Sequence, residues 1–313
     1  MELIKKQIHM NQWKGNVTTQ ITLDDDFIVP DTLDDMEQVM LDTGEIQIET
    51  VKNQGDKVAV KGKLEFQVLY RKESGGLQTL GGNIPFEEVV NVQGLEEKDY
   101  VGLNWMLEDL NTDMINSRKL GVQAIITLQV RVETLRDVEA AVDVDMENNS
   151  RPAGAGMSDT DGAGQVQVET LKRTANAAAI AVRRKDTYRI KEELSLTGGK
   201  PNIGQLLWRE MKLRDVTAKP LDGRLHLDGE LSVFVIYGAE DENMPVQWLE
   251  ETIPFSGDME MGDVKEDQIP MVTVRLAHKD MEAKPDYDGE MREMDVDAVL
   301  ELDIKLYEEE EVE

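Results

Sequence analysis

The side chains that could carry acid–base or metal chemistry are three histidines, His9, His226 and His278, and 64 acidic residues. A metal site needs ligands at set spacings, and a general base needs a polar group held in a dry pocket with a shifted pKa. The histidines lie far apart, none has a ligating neighbour at helical spacing, and His226 falls on the solvent-facing parity between Leu225 and Leu227. Each reads as a surface histidine. Asp159-Thr160-Asp161-Gly162 superficially has the look of a calcium loop. Placing Gly162 sixth puts Met157 first and Val168 twelfth, where an EF-hand needs an acid and a bidentate glutamate, so the segment reads as a linker turn. Asp24, Asp25 and Asp26 read as a solvated face and the run 308–311 as a terminal tail, with room for loose cation binding only.

Gly75-Gly76 and Gly81-Gly82 flank a hairpin-like segment, but no Gly-Lys-Ser/Thr follows, so they form no phosphate loop. No GxSxG pattern is present, and the absence of cysteine removes thiolate zinc sites, disulfides and cysteine nucleophiles. No catalytic, cofactor-binding or metal-ligating residue is assigned, and no cofactor is expected. An enzyme working through scattered carboxylates would need a deep pocket with paired buried acids. Of the tryptophans Trp13, Trp105, Trp208 and Trp248, burial is the expectation for each. Trp248 is the best candidate for an exposed stacking platform of the kind sugar-binding β-modules display.

The 313 residues suit two domains of ordinary size. With 34 basic against 64 acidic residues the net charge is −30, a field that repels nucleic-acid phosphates and anionic lipid and favours basic partners or divalent cations. The N-terminus lacks a signal-peptide apolar region, and no run approaches the roughly 18 apolar residues of a membrane span. The default expectation is a soluble cytoplasmic protein.

The elements that would position any site come in two copies. Residues 58–70 (VAVKGKLEFQVLY) match 225–237 (LHLDGELSVFVIY), with Gly62, Leu64, Val68 and Tyr70 recurring as Gly229, Leu231, Val235 and Tyr237. LQTLGGNIPF, ending at Phe86, returns as VQWLEETIPF, ending at Phe255, and 122–132 returns as 296–306. Three blocks in the same order establish an internal duplication. Within them Val58, Val60, Leu64, Phe66, Val68 and Tyr70 share one parity and Lys61, Lys63, Glu65 and Gln67 the other, the period-two pattern of a half-buried strand. Gly62 and Gly229 fall in the inward phase, which points to a bulge or a close backbone approach. Gly55-Asp56 and Asp222-Gly223 read as hairpin closures.

Pro201 followed by Ile203, Leu206 and Leu207, and Met36, Val39 and Met40 in the first copy, have the i, i+3, i+4 spacing of a short helix starting each copy. Residues 175–184 are alanine-rich and fit either a short helix or a strand. The expected fold is all-β with minor helix: two tandem antiparallel β-sandwich or barrel-like modules. The modules are expected at 1–145 and 166–313, joined by a flexible linker at 146–165 that is rich in Gly, Ser, Asn and Asp.

The run KDTYRIKEELSLTGGKPNIGQLLW at 185–208, followed by the GELSVFVIY strand and the IPF block, resembles the SPOCS domain of the SipL family of clostridial spore-coat morphogenetic proteins. The resemblance implies a non-enzymatic scaffold on the mother-cell side of the developing spore, working with the coat ATPase SpoIVA. Family members typically carry a C-terminal LysM domain that contributes to that partnership. Nothing like LysM occurs in this sequence, which leaves a fragment of a longer protein and a short paralogue as the two expectations. No family site residue carries over. The alternative from a different class is a carbohydrate-binding or surface-display β-module.

Overall fold

The computed structural model describes residues 2–145, 171, 173–241 and 245–312. The expected linker at 146–165, with its Asp159–Gly162 turn, lies outside the described residues. The first half contains β1 (Glu2–Ile28), β2 (Met36–Asn53), β3 (Lys57–Lys72), β4 (Leu77–Asn91), β5 (Tyr100–Asn116) and β6 (Lys119–Asp145). The second contains β7 (Ala175–Ser195), β8 (Ile203–Leu221), β9 (Arg224–Ala239), β10 (Val246–Glu260), β11 (Ile269–Pro285) and β12 (Met291–Val312).

Each half pairs its strands into two three-stranded antiparallel sheets: β2-β3-β4 with β1-β6-β5, and β8-β9-β10 with β7-β12-β11. The inward residues of the central strands fill a separate core in each half, Leu64, Val68, Ile126 and Leu128 in one and Leu231, Val235, Leu300 and Leu302 in the other. Neither half closes into a barrel. Period-two alternation thus builds two aliphatic sandwiches, as the repeat predicts.

Tyr70 and Tyr237 sit in matching surroundings. Both rings are buried; the Tyr70 hydroxyl lies 3.0 Å from the Asp34 carbonyl and the Tyr237 hydroxyl 3.2 Å from the Pro201 carbonyl. Each ties the segment entering β2 or β8 to its sheet and satisfies a polar tip that burial would otherwise penalise. Gly55 (φ 62°) and Gly223 (φ 76°) close the β2–β3 and β8–β9 hairpins in the left-handed region.

The short helices expected at Met36–Val39–Met40 and Ile203–Leu206–Leu207 are strands; among the described residues there is no helix. The cause is bulging. Met36, Val39 and Asp42 pair with Lys72, Tyr70 and Val68, and the ladder shifts once between each pair, so residues of one face recur every three positions instead of two, from buried Met36 to exposed Asp42. Ile203, Leu206 and Arg209 repeat this against Ala239, Tyr237 and Val235. Two bulges in succession imitate the helical i, i+3 pattern. Residues 175–184, left open between helix and strand, belong to β7, and the run 308–311 is not a tail but the end of β12, paired with residues 176–179.

Gly62 faces Phe86 across the β3–β4 ladder, and Gly229 faces Phe255 across β9–β10. A Cβ on Gly62 would meet the Gln47 carbonyl oxygen at 2.6 Å and Phe86 Cζ at 2.8 Å; one on Gly229 would meet Phe255 Cζ at 2.6 Å. The phenyl ring of each IPF motif therefore covers the glycine beside it, and the two residues occupy one packing volume. Gly62→Ala is expected to cost about 1–3 kcal/mol, and Gly229→Ala less, because there only movable side chains stand in the way. Urea unfolding checks this, and equal midpoints for wild type and Gly62→Ala would refute it.

Candidate functional site

The outward face of β6 carries Arg131 and Glu133, and the outward faces of β7 and β12 carry Arg183, Lys185 and Lys305; these faces meet at a seam between the halves. Glu133 is only 8% exposed, and it accepts from Lys305 Nζ on both oxygens at 2.7 and 2.8 Å, from Arg183 Nη2 at 2.8 Å and from Asn11 Nδ2 at 3.0 Å. Arg183 also lays its guanidinium 3.5 Å from the Tyr100 ring centroid, and the Tyr100 hydroxyl donates to Asp303 Oδ2 at 2.7 Å. One carboxylate from the first half is thereby clasped by two cations from the second.

Further along, Arg275 stacks 4.0 Å over the Trp105 ring and donates to the Leu103 carbonyl at 3.1 Å and to Asn104. Lys279 pairs with Glu45. At the far end Leu69 and Leu77 pack with Leu207 and Trp208, and the Thr79 hydroxyl donates to the Leu207 carbonyl. A cleft of about 420 Å³ opens between β5, β6, β7, β11 and β12, lined by Tyr100, Arg131, Lys185, Arg275, Glu301 and Asp303. A second, of about 450 Å³, runs between β4 and β8 past Gly81, Gly82, Arg209 and Met211.

Burial pulls the Glu133 carboxyl upward, but the hydrogen bonds from Lys305 and Asn11 and the charges of Lys305 and Arg183 outweigh it and hold its pKa below the ordinary glutamate value. Burial raises the Tyr100 phenol, assisted by its bond to Asp303, and burial lowers Arg275. With its oxygens taking four hydrogen bonds from three donor groups, Glu133 binds the halves and is not poised to take a proton from a ligand.

The residues singled out by sequence are not brought together. His9 pairs with Asp137 on the exposed part of β1, His226 lies between Asp228 and Asp258, and His278 is exposed on β11. Asp24 accepts from Gln123, Asp26 pairs with Lys119, and Glu310 pairs with Lys6. Among the described residues no cluster of three His, Cys, Asp or Glu is placed to hold a metal. Trp208 is buried as expected, but Trp13 and Trp248, for which burial is also the expectation, are 53% and 58% exposed; Trp248 is the one singled out as the best candidate for exposure, and Trp13 has Arg131 over its ring. The seam residues were missed because their parity is the solvent one. The signal available was apolar residues on that parity, Leu69, Phe234 and Ile236.

Glu133→Gln leaves two buried cations short of their anion and is expected to cost about 3–5 kcal/mol, while the triple variant Glu133→Met, Lys305→Met, Arg183→Met recovers most of the loss. Because the folded pKa of Glu133 is depressed, its contribution is full above the unfolded value and is lost as pH falls through the folded one. The urea midpoint of Glu133→Gln should therefore converge on that of wild type in acid, and a constant gap would exclude this. His226 behaves oppositely. Its bond to Asp258, against a desolvation penalty, and the charge of Asp228 raise its pKa, so its stabilisation is full below the ordinary histidine value and lost as pH rises through the raised one. An NMR titration should place His226 above an ordinary histidine, and Asp258→Asn should bring it down; an unmoved titration curve would rule out the pairing as the cause.

A sequence model of the SipL family, described as SipL, SPOCS domain, matches residues 35–115 and again 202–284, together just over half of the chain. The matches run from the start of β2 to within β5 and from the start of β8 to within β11. No curated protein and no solved structure matches. Two matched segments, each folded into the same pair of sheets around its own core, settle what the duplicated unit is: the chain belongs to the SipL family and carries two SPOCS domains in tandem.

Proposed function

We propose that this chain is a non-enzymatic scaffold of spore-coat assembly, acting through protein–protein contacts in the mother-cell cytoplasm at the forespore surface. The observation that carries the reading is the doubled SPOCS domain at 35–115 and 202–284. Two modules held at a fixed spacing by the Glu133 seam can engage a repeated partner with avidity that flexible beads would forgo. The engagement of Glu133 by Lys305, Arg183 and Asn11 supports a structural use of the most buried charge in the cleft. A net charge of −30 favours basic protein surfaces and disfavours nucleic acid and anionic lipid. No helix among the described residues is long and apolar enough to cross a membrane. The coat ATPase SpoIVA is the partner the family likeness suggests.

One observation favours a second reading, a carbohydrate-binding or surface-display module: the exposed ring of Trp248. Phe234 at 6.4 Å and Lys200 at 5.3 Å are already in contact with that ring, and it stands without a second exposed aromatic platform beside it among the described residues.

A fluorescent fusion produced in sporulating cells is expected to collect around the forespore, and deletion to give spores with a detached or incomplete coat. A diffuse fusion together with normally coated deletion spores would defeat the proposal. Immobilised chain is expected to retain purified SpoIVA and to give no signal on a glycan array; the reverse pattern would favour the sugar reading.

A further inference from the structure

The two halves meet partly by their sheet edges. β4 and β8 are both edge strands, and they lie side by side where Thr79 donates to the Leu207 carbonyl and Leu69 and Leu77 cover Leu207 and Trp208. The strands in contact are not counterparts. β8 corresponds to β2, and β4 corresponds to β10, as the ladders show independently of sequence likeness: Leu41 and Thr79 flank Leu69 on either side, and Trp208 and Trp248 flank Ile236 in the same way. The contact is therefore heterologous, one kind of edge against another.

A heterologous contact inside a duplicated chain leaves one unused copy of each edge. Those copies are apolar and open. On β2, Met40 and Leu41 are 50% and 41% exposed, whereas their counterparts Leu207 and Trp208 are covered. On β10, Val246 and Trp248 are 38% and 58% exposed, at the positions that Leu77 and Thr79 hold in β4. Met40 also sits in the same bulge as Leu207, since the ladder shifts between Val39 and Leu41 as it does between Leu206 and Trp208.

We infer that copies of this chain associate head to tail, the β10 edge of one, with Val246 and Trp248, docking on the β2 edge of the next, with Met40 and Leu41. The Trp248 indole N–H is the donor that takes the place of the Thr79 hydroxyl, and the carbonyl at the Met40 bulge takes the place of that of Leu207. The contact uses one edge of each kind, so it passes from chain to chain and yields open chains of protein, or a ring where the rotation between neighbours closes.

Charge regulates it. Arg209 and Gly81 line the internal groove, whereas their counterparts in the new contact are Asp42 and Glu250, a like-charged pair. On a chain of net charge −30 this repulsion opposes docking until salt screens it. Association therefore strengthens as ionic strength rises, the reverse of a contact held by ion pairs.

The inference rests on the internal seam and not on the coat reading, and it is tested with this chain alone. Sedimentation velocity of the full chain in about 0.05 M and about 0.5 M salt should show a weight-average mass that climbs with concentration, more steeply in high salt. Trp248→Glu and Met40→Glu should each stay at the mass of one chain. Their side chains are exposed, so circular dichroism should match wild type. An equimolar mixture of the two variants should form a dimer and nothing larger, because each still owns one intact edge. A wild-type chain that stays monomeric throughout, a single variant that still assembles, or a mixture that gives no dimer each overturns the inference. None of these outcomes bears on whether the chain binds SpoIVA.

Discussion

Removing a carboxylate from water costs several kcal/mol even after the protein relaxes, and Glu133 is offset only when Lys305 and Arg183 stand on either side of it. Those two cations are direct cross-strand partners in the β12–β7 ladder. Like charges placed so are destabilising within their own sheet. The second half by itself thus carries an unfavourable pair, and joining the halves relieves it by setting the Glu133 carboxylate between the two cations. Bidentate acceptance from Lys305, the planar fork of Arg183 and the Asn11 amide tolerate little displacement, so the same charges that tie the halves also fix their angle.

The apolar end of the seam adds area where the polar end adds direction. Leu69 lies on the parity that faces solvent in an isolated sheet, yet it is 2% exposed because Leu207 and Trp208 cover it. Burying such a side chain contributes about 1.5–3 kcal/mol and is indifferent to a small rotation. The charge cluster is not indifferent, and the two ends together give a contact that is both held and oriented.

How much of this could be read in advance follows from the range of each interaction along the chain. The duplication, the alternation in β3 and β9, and the close approach at Gly62 and Gly229 were legible because each is a pattern of neighbours. The identity of the approaching group, the phenyl ring of the IPF motif, became evident only when the register put Phe86 beside Gly62. Strands β2 and β8 were misread as beginning in helices because a bulge adds one residue to a period of two and mimics a helical step. The charged end of the seam was silent. Lys305 lies 172 residues from Glu133 and Arg183 lies 50 away, and nothing local distinguishes such charges from those on a wet face.

The matched segments hold β2 to β5 and β8 to β11, whereas Glu133, Arg183 and Lys305 lie on β6, β7 and β12. The Glu133 cluster at one end of the seam is therefore encoded apart from what makes each half recognisable as a SPOCS domain, whereas the Trp105–Arg275 stack and the apolar end lie within the matched segments. The central outward positions bear this out: Arg131 and Glu133 on β6 correspond to Lys305 and Tyr307 on β12 through the matched blocks 122–132 and 296–306. Both halves present the outer face of the same sheet to the seam. A glutamate at position 307, as the first copy has at 133, would bring a second acid to the Asn11 amide that already serves Glu133, and the two carboxylates would repel. Tyr307 in place of a second glutamate removes that repulsion and supplies a hydroxyl that bonds Asn11 instead. Divergence at these few outward positions is what allows two copies of one module to behave as a single oriented body.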